Sequence, residues 1–168
     1  LAVPEGGGDD TLPAGPAGEE ITGTNAAAET LDGLGGPDTL NGRGGDDVYL
    51  WRAGGGDDLI DEGGDRASAS VDRLVLEGLA PADVALTRLP GSDLSIEILA
   101  TGETLTVDRQ FAGNGSSSME FLVFADGTVL DAEAIRAASP FRGTDGAEEI
   151  DATGGDDILI GGPGDDTL

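Results

Sequence analysis

Three residue types with useful side-chain chemistry are missing from this chain of 168 residues: cysteine, histidine and lysine. Without cysteine the chain forms no disulfide and no thiolate metal site. Without histidine it has no imidazole zinc site and no histidine-based nucleophile. The eight basic residues are all arginines and face 34 acidic residues, which leaves a formal net charge of −26. A field of this sign excludes nucleic acid as an expected partner and favours multivalent cations.

Large apolar features are also scarce. Aromatic residues make up 4 % of the chain, and no window of about eighteen apolar residues predicts a transmembrane segment. No signal peptide is recognisable at the start, and both ends lie within the repeat pattern described next, so we expect a segment of a larger polypeptide. Thirty glycines make the backbone costly to order, which predicts an external source of stability.

What the chain does contain is a nine-residue period. In "GLGGPDTLN" (Gly33–Asn41) and "GRGGDDVYL" (Gly42–Leu50), a glycine-rich turn carries an acid at its sixth position and an apolar residue two places later. "AGGGDDLID" continues the period after a two-residue insertion. Repeated, phased copies of this kind indicate a solenoid. The acids at the sixth position include Asp38, Asp47, Asp58, Asp157 and Asp166, with Asp10, Glu19, Glu29 and Glu148 in the less regular copies.

The period is absent between Arg66 and Ser139. Short alternating segments such as "DLSIEIL" predict half-buried strands there, and a short helix is expected to follow Asp131 as its N-cap. The inner face of this helix is expected to carry Ala134, Ile135 and Ala138. The predicted organisation is a repeat block at 1–65, a β-rich extension or cap at 66–139, and a second repeat block at 140–168.

The physical chemistry of one repeat indicates what the period achieves. The turn points carbonyl oxygens inward, the acid adds an anionic oxygen, and the aliphatic residue begins a short strand facing the interior. Two repeats make one coil of a parallel solenoid, so each turn lies beside the turn two repeats on. Oxygen ligands alone, in a flexible cage, favour calcium over magnesium, and metal binding and folding then share one free energy.

"GGPGDDTL" and "GRGGDDVYL" resemble the calcium-binding signature of RTX (repeats-in-toxin) proteins. The resemblance implies an all-β fold, a two-sheet parallel β-roll with a β-rich extension and one short helix. It also implies that the chain binds several Ca²⁺ ions, each held by these acids together with turn carbonyls near positions one, two and four. In this sequence those carbonyl positions are Gly33, Leu34, Gly36, Gly42, Arg43, Gly45, Ala53, Gly54, Gly56, Gly143, Thr144, Gly146, Gly155, Gly161, Gly162 and Gly164.

The segment from "DRLVLEGL" to "FADGTV" resembles the haemolysin-type calcium-binding related module and the terminal RTX block of adenylate cyclase toxins. The resemblance implies that this segment extends and caps the roll. It further implies export by a type I secretion machinery, with folding in the calcium-rich exterior of a bacterium. Acids expected to meet on one edge are Asp38 with Asp58, Glu29 with Asp47, Glu19 with Asp38, and Glu148 with Asp166.

The expected function is calcium-triggered folding that stabilises, and helps export, a larger protein. One alternative is an adhesive or substrate-binding module whose recognition surface uses Arg88, Arg109, Phe111 and Phe121. A second is an acidic solenoid from a salt-adapted organism that folds without calcium. No pair of acids indicates catalysis in this segment, although the parent protein could be an enzyme or toxin.

Two further groups of residues, one acidic and one aromatic, have both a structural and a functional interpretation. The acids that precede the sixth position, including Asp46 and Asp57, are expected to point outward rather than bind an ion. Tyr49 and Trp51 are expected to cover the junction between roll and extension; a platform for a sugar or peptide is the alternative.

Overall fold

The structure is a computed structural model, and its elements are mostly strands of two to five residues. The described residues are 15, 17–24, 27–61, 70–112, 119–143, 146 and 158–167, together with the backbone of 11–13. The first six strands are β1 (Thr11–Pro13), β2 (Glu20–Thr22), β3 (Thr30–Asp32), β4 (Thr39–Asn41), β5 (Val48–Arg52) and β6 (Asp58–Ile60).

These six strands wind as a parallel roll. β1, β3 and β5 lie side by side in one sheet, and β2, β4 and β6 lie side by side in the other. Every neighbour is therefore two strands away in sequence, as a coil of two repeats requires. The predicted two-sheet β-roll is confirmed.

Inward apolar side chains from the short strands fill the roll. In a strand, alternate side chains face opposite sides: β2, β3 and β4 turn their middle residue inward, whereas β6 buries its first and last residues, Asp58 and Ile60. Burying each such side chain contributes on the order of 2 kcal/mol, which is a large share for so short an element. The inward residues are all 2 % exposed or less: Ile21, Leu31, Leu40, Tyr49 and Ile60.

The extension lengthens both sheets of the roll. Its elements are β7 (Arg73–Glu77), a 3-10 turn (Pro81–Asp83), β8 (Val84–Arg88), β9 (Leu94–Ile98), β10 (Thr104–Val107), β11 (Phe121–Phe124), β12 (Val129–Asp131) and α1 (Ala132–Ala138). β7 and β11 continue the first sheet in parallel, with β12 antiparallel at its edge. β10 continues the second sheet beside β6, followed by antiparallel β9 and β8.

Two short strands from the second repeat block join the far side of the same sheet. β13 (Phe141–Arg142) pairs with β8, and β14 (Leu159–Ile160) pairs with β13, both in parallel. The second sheet therefore runs without a break from β2 through the extension to β14. The extension lies between the two repeat blocks in one hydrogen-bonded sheet.

The short helix begins as predicted. Asp131 is its N-cap, with the Asp131 carboxylate accepting a 2.9 Å hydrogen bond from the Ala134 N–H. Ile135 is fully buried, but Ala138 is exposed, so that part of the predicted inner face is wrong. The inner face continues four residues after Ile135, at buried Ser139, whose hydroxyl donates to the Ile135 carbonyl over 2.7 Å.

An arginine ties three strands together on the outside of the first sheet. Arg52 in β5 pairs with Asp32 in β3, at 2.6 Å, and with Glu77 in β7.

Among the described residues, no helix is long and apolar enough to cross a membrane.

Candidate metal site

The glycine-rich turns between strands have a repeated backbone conformation. In four of these turns, which begin at Gly33, Gly42, Ala53 and Gly161, the second and fourth residues have positive φ, which L-residues rarely adopt. At two second positions a non-glycine residue is nevertheless present, and a side chain from the preceding strand supports it. The Leu34 N–H donates to Asp32 Oδ1 over 2.9 Å, and the Arg43 N–H donates to Asn41 Oδ1 over 3.0 Å. The positive-φ residues are Leu34, Gly36, Arg43, Gly45, Gly54, Gly56, Gly162 and Gly164.

The fourth position requires glycine because the turns stack closely. A Cβ on Gly45 would overlap the carbonyl oxygen of Ala27, and a Cβ on Gly56 would overlap that of Gly36. Each of these carbonyls belongs to the turn two repeats earlier. Carbonyl oxygens of one turn therefore face the backbone of the next turn on the same edge.

Acids link successive turns along the first edge. Asp38 Oδ1 accepts a 2.7 Å hydrogen bond from the Glu19 N–H, and Asp58 Oδ1 accepts a 2.8 Å bond from the Asp38 N–H. Each carboxylate thus binds the backbone of the acid two repeats earlier. The structure brings together the predicted pairs Glu19 with Asp38 and Asp38 with Asp58.

The second edge carries the same series of contacts and continues into the extension. Asp47 Oδ1 accepts from the Glu29 N–H over 2.8 Å, which brings this predicted pair together. Asp72 Oδ1 then accepts from the Asp47 N–H over 2.9 Å, and Glu120 Oε2 accepts from the Asp72 N–H over 2.7 Å. Glu29, Asp47, Asp72 and Glu120 form what we call the acidic ladder.

Sequence reasoning missed Asp72 and Glu120 because neither belongs to a nonapeptide. A weaker signal was present: each acid lies two positions before an inward apolar residue, Leu74 or Leu122, as repeat acids do. The strands that follow pair in register, Tyr49 with Leu74 and Leu74 with Leu122. Register therefore places their acids side by side.

One oxygen of several acids is buried without a hydrogen-bond partner. These atoms are Glu29 Oε2, Asp38 Oδ2 and Asp47 Oδ2. Asp38 Oδ2 lies 2.8 Å from the place where a Cβ on Gly33 would sit, and Asp47 Oδ2 would overlap a Cβ on Gly42. A buried, unpartnered carboxylate oxygen is costly, so each of these atoms is suited to a cation.

The raised pKa values of these acids also indicate that a cation would stabilise the site. Burial raises the pKa of Asp47 to about 7. The hydrogen bond from the Glu29 N–H opposes this rise, whereas the negative charges of Asp72 and Glu29 add to it. Burial also raises the pKa of Asp58 to about 6, with Asp38 adding to the rise. Burial is likewise the main reason that the pKa values of Asp38, Asp72 and Glu120 are raised. At Asp72 the neighbouring Arg73 opposes the rise in pKa but does not cancel it.

The donor set is suited to one class of metal ion. Within the part of the chain that the structure describes, no three acidic side chains converge as a metal-binding group. Each pair of stacked turns supplies carboxylates from two residues, so further ligands would be turn carbonyls. A hard, anionic, all-oxygen set on a flexible backbone fits Ca²⁺ better than Mg²⁺ or a transition metal.

Comparison with protein families decides the identity of the repeats. The family model for the RTX calcium-binding nonapeptide repeat (4 copies) matches residues 24–50 and 142–168. The model for the haemolysin-type calcium binding protein related domain matches residues 93–134. The chain is an RTX repeat protein. RTX nonapeptide repeats bind calcium, and they are typical of secreted bacterial proteins. A comparison with curated proteins gives no significant match to the chain.

The glutamates that replace aspartate in this RTX chain fold back onto their own turns. Glu29 is 1 % exposed, and Glu29 Oε1 accepts a 2.6 Å hydrogen bond from the Thr24 hydroxyl. Glu19 Oε2 accepts a 2.9 Å bond from the Gly15 N–H. The longer side chain therefore reaches into the turn as aspartate does elsewhere in the roll.

Some of the remaining predicted ligands of the RTX chain are among the described residues, and others lie outside them. Asp166 Oδ2 lies 2.5 Å from the place of a Cβ on Gly161, the same relation that Asp38 has to Gly33. Ala53 is exposed, and the Gly54 N–H donates to both carboxylate oxygens of Glu103 at 2.9 and 3.1 Å. Gly143 and Gly146 are described, whereas Asp10, Thr144, Glu148, Gly155 and Asp157 lie outside the described residues.

The acids before the sixth position have a role that the sequence did not reveal. Asp46 and Asp57 are exposed, as predicted. Asp46 Oδ1 accepts from the Val71 N–H over 2.9 Å, and Asp57 Oδ1 accepts from the Thr104 N–H over 2.8 Å. Both acids therefore attach the RTX roll to its extension.

The residues proposed for an alternative recognition surface do not form one exposed patch. Arg88 and Phe111 are 6 % and 4 % exposed and stack on each other, with the Arg88 guanidinium carbon 4.9 Å from the ring centre. Phe121 is half-buried beneath Arg73. Arg109 is exposed and forms ion pairs with two neighbouring aspartates.

The two aromatic residues of β5 are core residues. Tyr49 and Trp51 are at most 2 % exposed, which contradicts a surface platform for a sugar or peptide. Their register partners in β7 are Leu74 and Leu76. Both side chains therefore lie at the junction between roll and extension.

Proposed function

We propose that this RTX chain is a calcium-triggered folding module of a larger, secreted bacterial protein. The observation that carries the proposal is the row of buried acids on each edge of the roll, with unpartnered oxygens on Glu29, Asp38 and Asp47. Each acid is stacked on another acid rather than on a base. The folded roll therefore concentrates negative charge that the unfolded chain can separate.

Calcium would supply positive charge beside these stacked acids. Because the turns on one edge are linked by carboxylate-to-backbone hydrogen bonds, a cation bound between two turns stabilises both of them. A ligand that binds only the folded state adds its binding free energy to folding. A net charge of −26 keeps the calcium-free chain expanded through self-repulsion.

The location of the chain follows from the ion it needs. Extracellular modules bind calcium with dissociation constants on the order of 0.1–1 mM, above the free calcium of a cytosol. The chain would thus stay unfolded during export by a type I machinery and fold outside, where it stabilises the parent protein. The stacked acids have structural partners or a metal role, so we propose that the module itself is not an enzyme.

The extension, proposed to span residues 66–139, completes the last coil of the first repeat block, proposed to span 1–65. Asp72 takes the place of the next repeat acid above Asp47, and Glu120 takes the place above Asp72. The block at 140–168 joins the far side of the extension. We propose that its turns bind calcium in the same way, through Asp166 and the predicted acids beyond the described residues.

The test is a calcium titration of the purified 168-residue chain followed by far-UV circular dichroism, with magnesium at matched ionic strength as control. We expect a cooperative transition from coil to β-structure in calcium alone. Asp58→Asn should weaken it, whereas Glu97→Gln, which removes one charge from an exposed position of β9, should not. A chain already β-structured in excess chelator would contradict the proposal.

A further inference from the structure

Among the inward residues that lie two positions after a repeat acid, one departs from the aliphatic pattern. The inward residue is Leu31 in β3, Leu40 in β4 and Ile60 in β6, but Tyr49 in β5. Tyr49 is fully buried, and it is the single tyrosine of the chain. A buried phenol brings a hydroxyl into the core, and that hydroxyl requires a polar partner.

The hydroxyl finds its partner in the turn that begins its own repeat. The Gly42 N–H donates to Tyr49 Oη over 2.7 Å, in a buried hydrogen bond. A Cβ on Gly42 would lie 2.6 Å from Tyr49 Oη and would overlap Asp47 Oδ2. The phenol oxygen and the unpartnered carboxylate oxygen therefore border the same small space, which a glycine leaves open.

We propose that Tyr49 is a positioning residue for the calcium-binding turn 42–47. The inference rests on the proposed function, since it assigns a calcium ion to this turn. By accepting from the Gly42 N–H, the Tyr49 hydroxyl fixes the first residue of the turn. An aliphatic residue at this position could be buried in the core but has no oxygen to hold the turn.

A positioning role predicts an effect on calcium affinity that exceeds the effect on packing. Groups that orient metal ligands without binding the metal typically change affinity 10- to 100-fold. Tyr49→Phe removes one oxygen and leaves the ring in place, so the core keeps its volume. We expect about a tenfold rise in the calcium concentration at the folding midpoint.

The matched control is Ile60→Val, which removes one buried methylene from the facing sheet and touches no turn hydrogen bond. For each variant of the 168-residue chain we would measure the calcium midpoint by circular dichroism and the urea midpoint in saturating calcium. The Gly42 amide signal, followed by nuclear magnetic resonance in the calcium-bound chain, reports directly on the bond to Tyr49. We expect Tyr49→Phe, but not Ile60→Val, to shift that signal and to accelerate its hydrogen exchange.

The outcomes separate the two proposals. A larger calcium shift in Tyr49→Phe than in Ile60→Val, at equal loss of urea stability, supports the positioning role. Equal calcium shifts at equal loss of urea stability would show that Tyr49 is a core residue only. If calcium did not change the circular dichroism of the wild-type chain, the proposed function would be overturned, and this inference with it.

Discussion

Replacing Asp47 with asparagine separates the cost of burying a charge from the benefit of binding a cation. Asparagine keeps the oxygen that accepts the 2.8 Å hydrogen bond from the Glu29 N–H. It replaces the unpartnered oxygen with an uncharged NH₂ group. Burial, with Asp72 and Glu29 nearby, raises the pKa of Asp47 to about 7. We therefore expect Asp47→Asn to have opposite effects on folding without and with calcium.

The sign follows from the direction of the pKa shift. A raised pKa means that the folded roll is favoured most below the ordinary value of 3.8, where the carboxyl is protonated in both states. This advantage is lost as the pH rises toward about 7, because the buried carboxylate must then ionise. A rise of about three units corresponds to about 4 kcal/mol. Part of this energy belongs to the interactions of Asp47 with Asp72 and Glu29, so for Asp47 alone we expect about 1–3 kcal/mol at about pH 8.

The assay follows β-structure by far-UV circular dichroism, first against pH in calcium-free buffer and then against calcium at about pH 8. Wild-type chain should gain structure as the pH falls, and Asp47→Asn should do so at a higher pH, since it has no charge to neutralise. In the calcium titration the order reverses, and the variant should require at least about tenfold more calcium. Asp46→Asn is the control, because it makes the same charge change at an exposed neighbouring position.

Two results would refute the reasoning. If Asp47→Asn destabilised the chain equally with and without calcium, Asp47 would be a structural hydrogen-bond acceptor only. If Asp46→Asn produced the same pair of opposite shifts, net charge rather than the buried site would control folding.

Three other substitutions probe the backbone, the extension and the outer surface. Gly56→Ala should cost more than about 3 kcal/mol in urea unfolding with calcium, since its Cβ overlaps a stacked carbonyl. Gly54→Ala should cost only about 1–2 kcal/mol, since its φ is positive but nothing lies within 4 Å; equal costs would contradict the stacking argument. Asp72→Ala should lose about 1–3 kcal/mol by leaving the Asp47 N–H without its acceptor, and Asp72→Asn should recover most of this. Arg52→Ala should lose about 1 kcal/mol or less at low salt, and less again at high salt, because both of its ion pairs are partly exposed.

Much of the fold was predictable because its organisation is local. The acid and the inward aliphatic residue recur at a fixed spacing, so Asp38 with Leu40 and Asp58 with Ile60 could be read directly from the chain. Two repeats per coil then required that neighbours on one edge be two repeats apart. The pairing of Asp38 with Asp58 followed from that count alone.

The parts of the site that could not be predicted depend on contacts without a period. Asp72 lies 25 residues from Asp47, and Glu120 lies 48 residues from Asp72. The loops between them have no repeat length, so only the strand register of β5, β7 and β11 places these acids on one ladder. Ala138 shows the same limit on a smaller scale, because helical spacing allows the third or the fourth residue after Ile135 on the inner face, and packing selected the fourth, Ser139.

By itself, the sequence determined the coil, its aliphatic interior and the acids that repeat on each edge, since a nine-residue period imposes its geometry wherever it occurs. Tertiary structure alone decided that Asp72 and Glu120 continue the second edge beyond Asp47. It also decided that the hydroxyl of Tyr49 meets Gly42, because a hydrogen bond requires positions correct to a fraction of an ångström. A period specifies which residues recur, whereas stacking specifies which atoms meet.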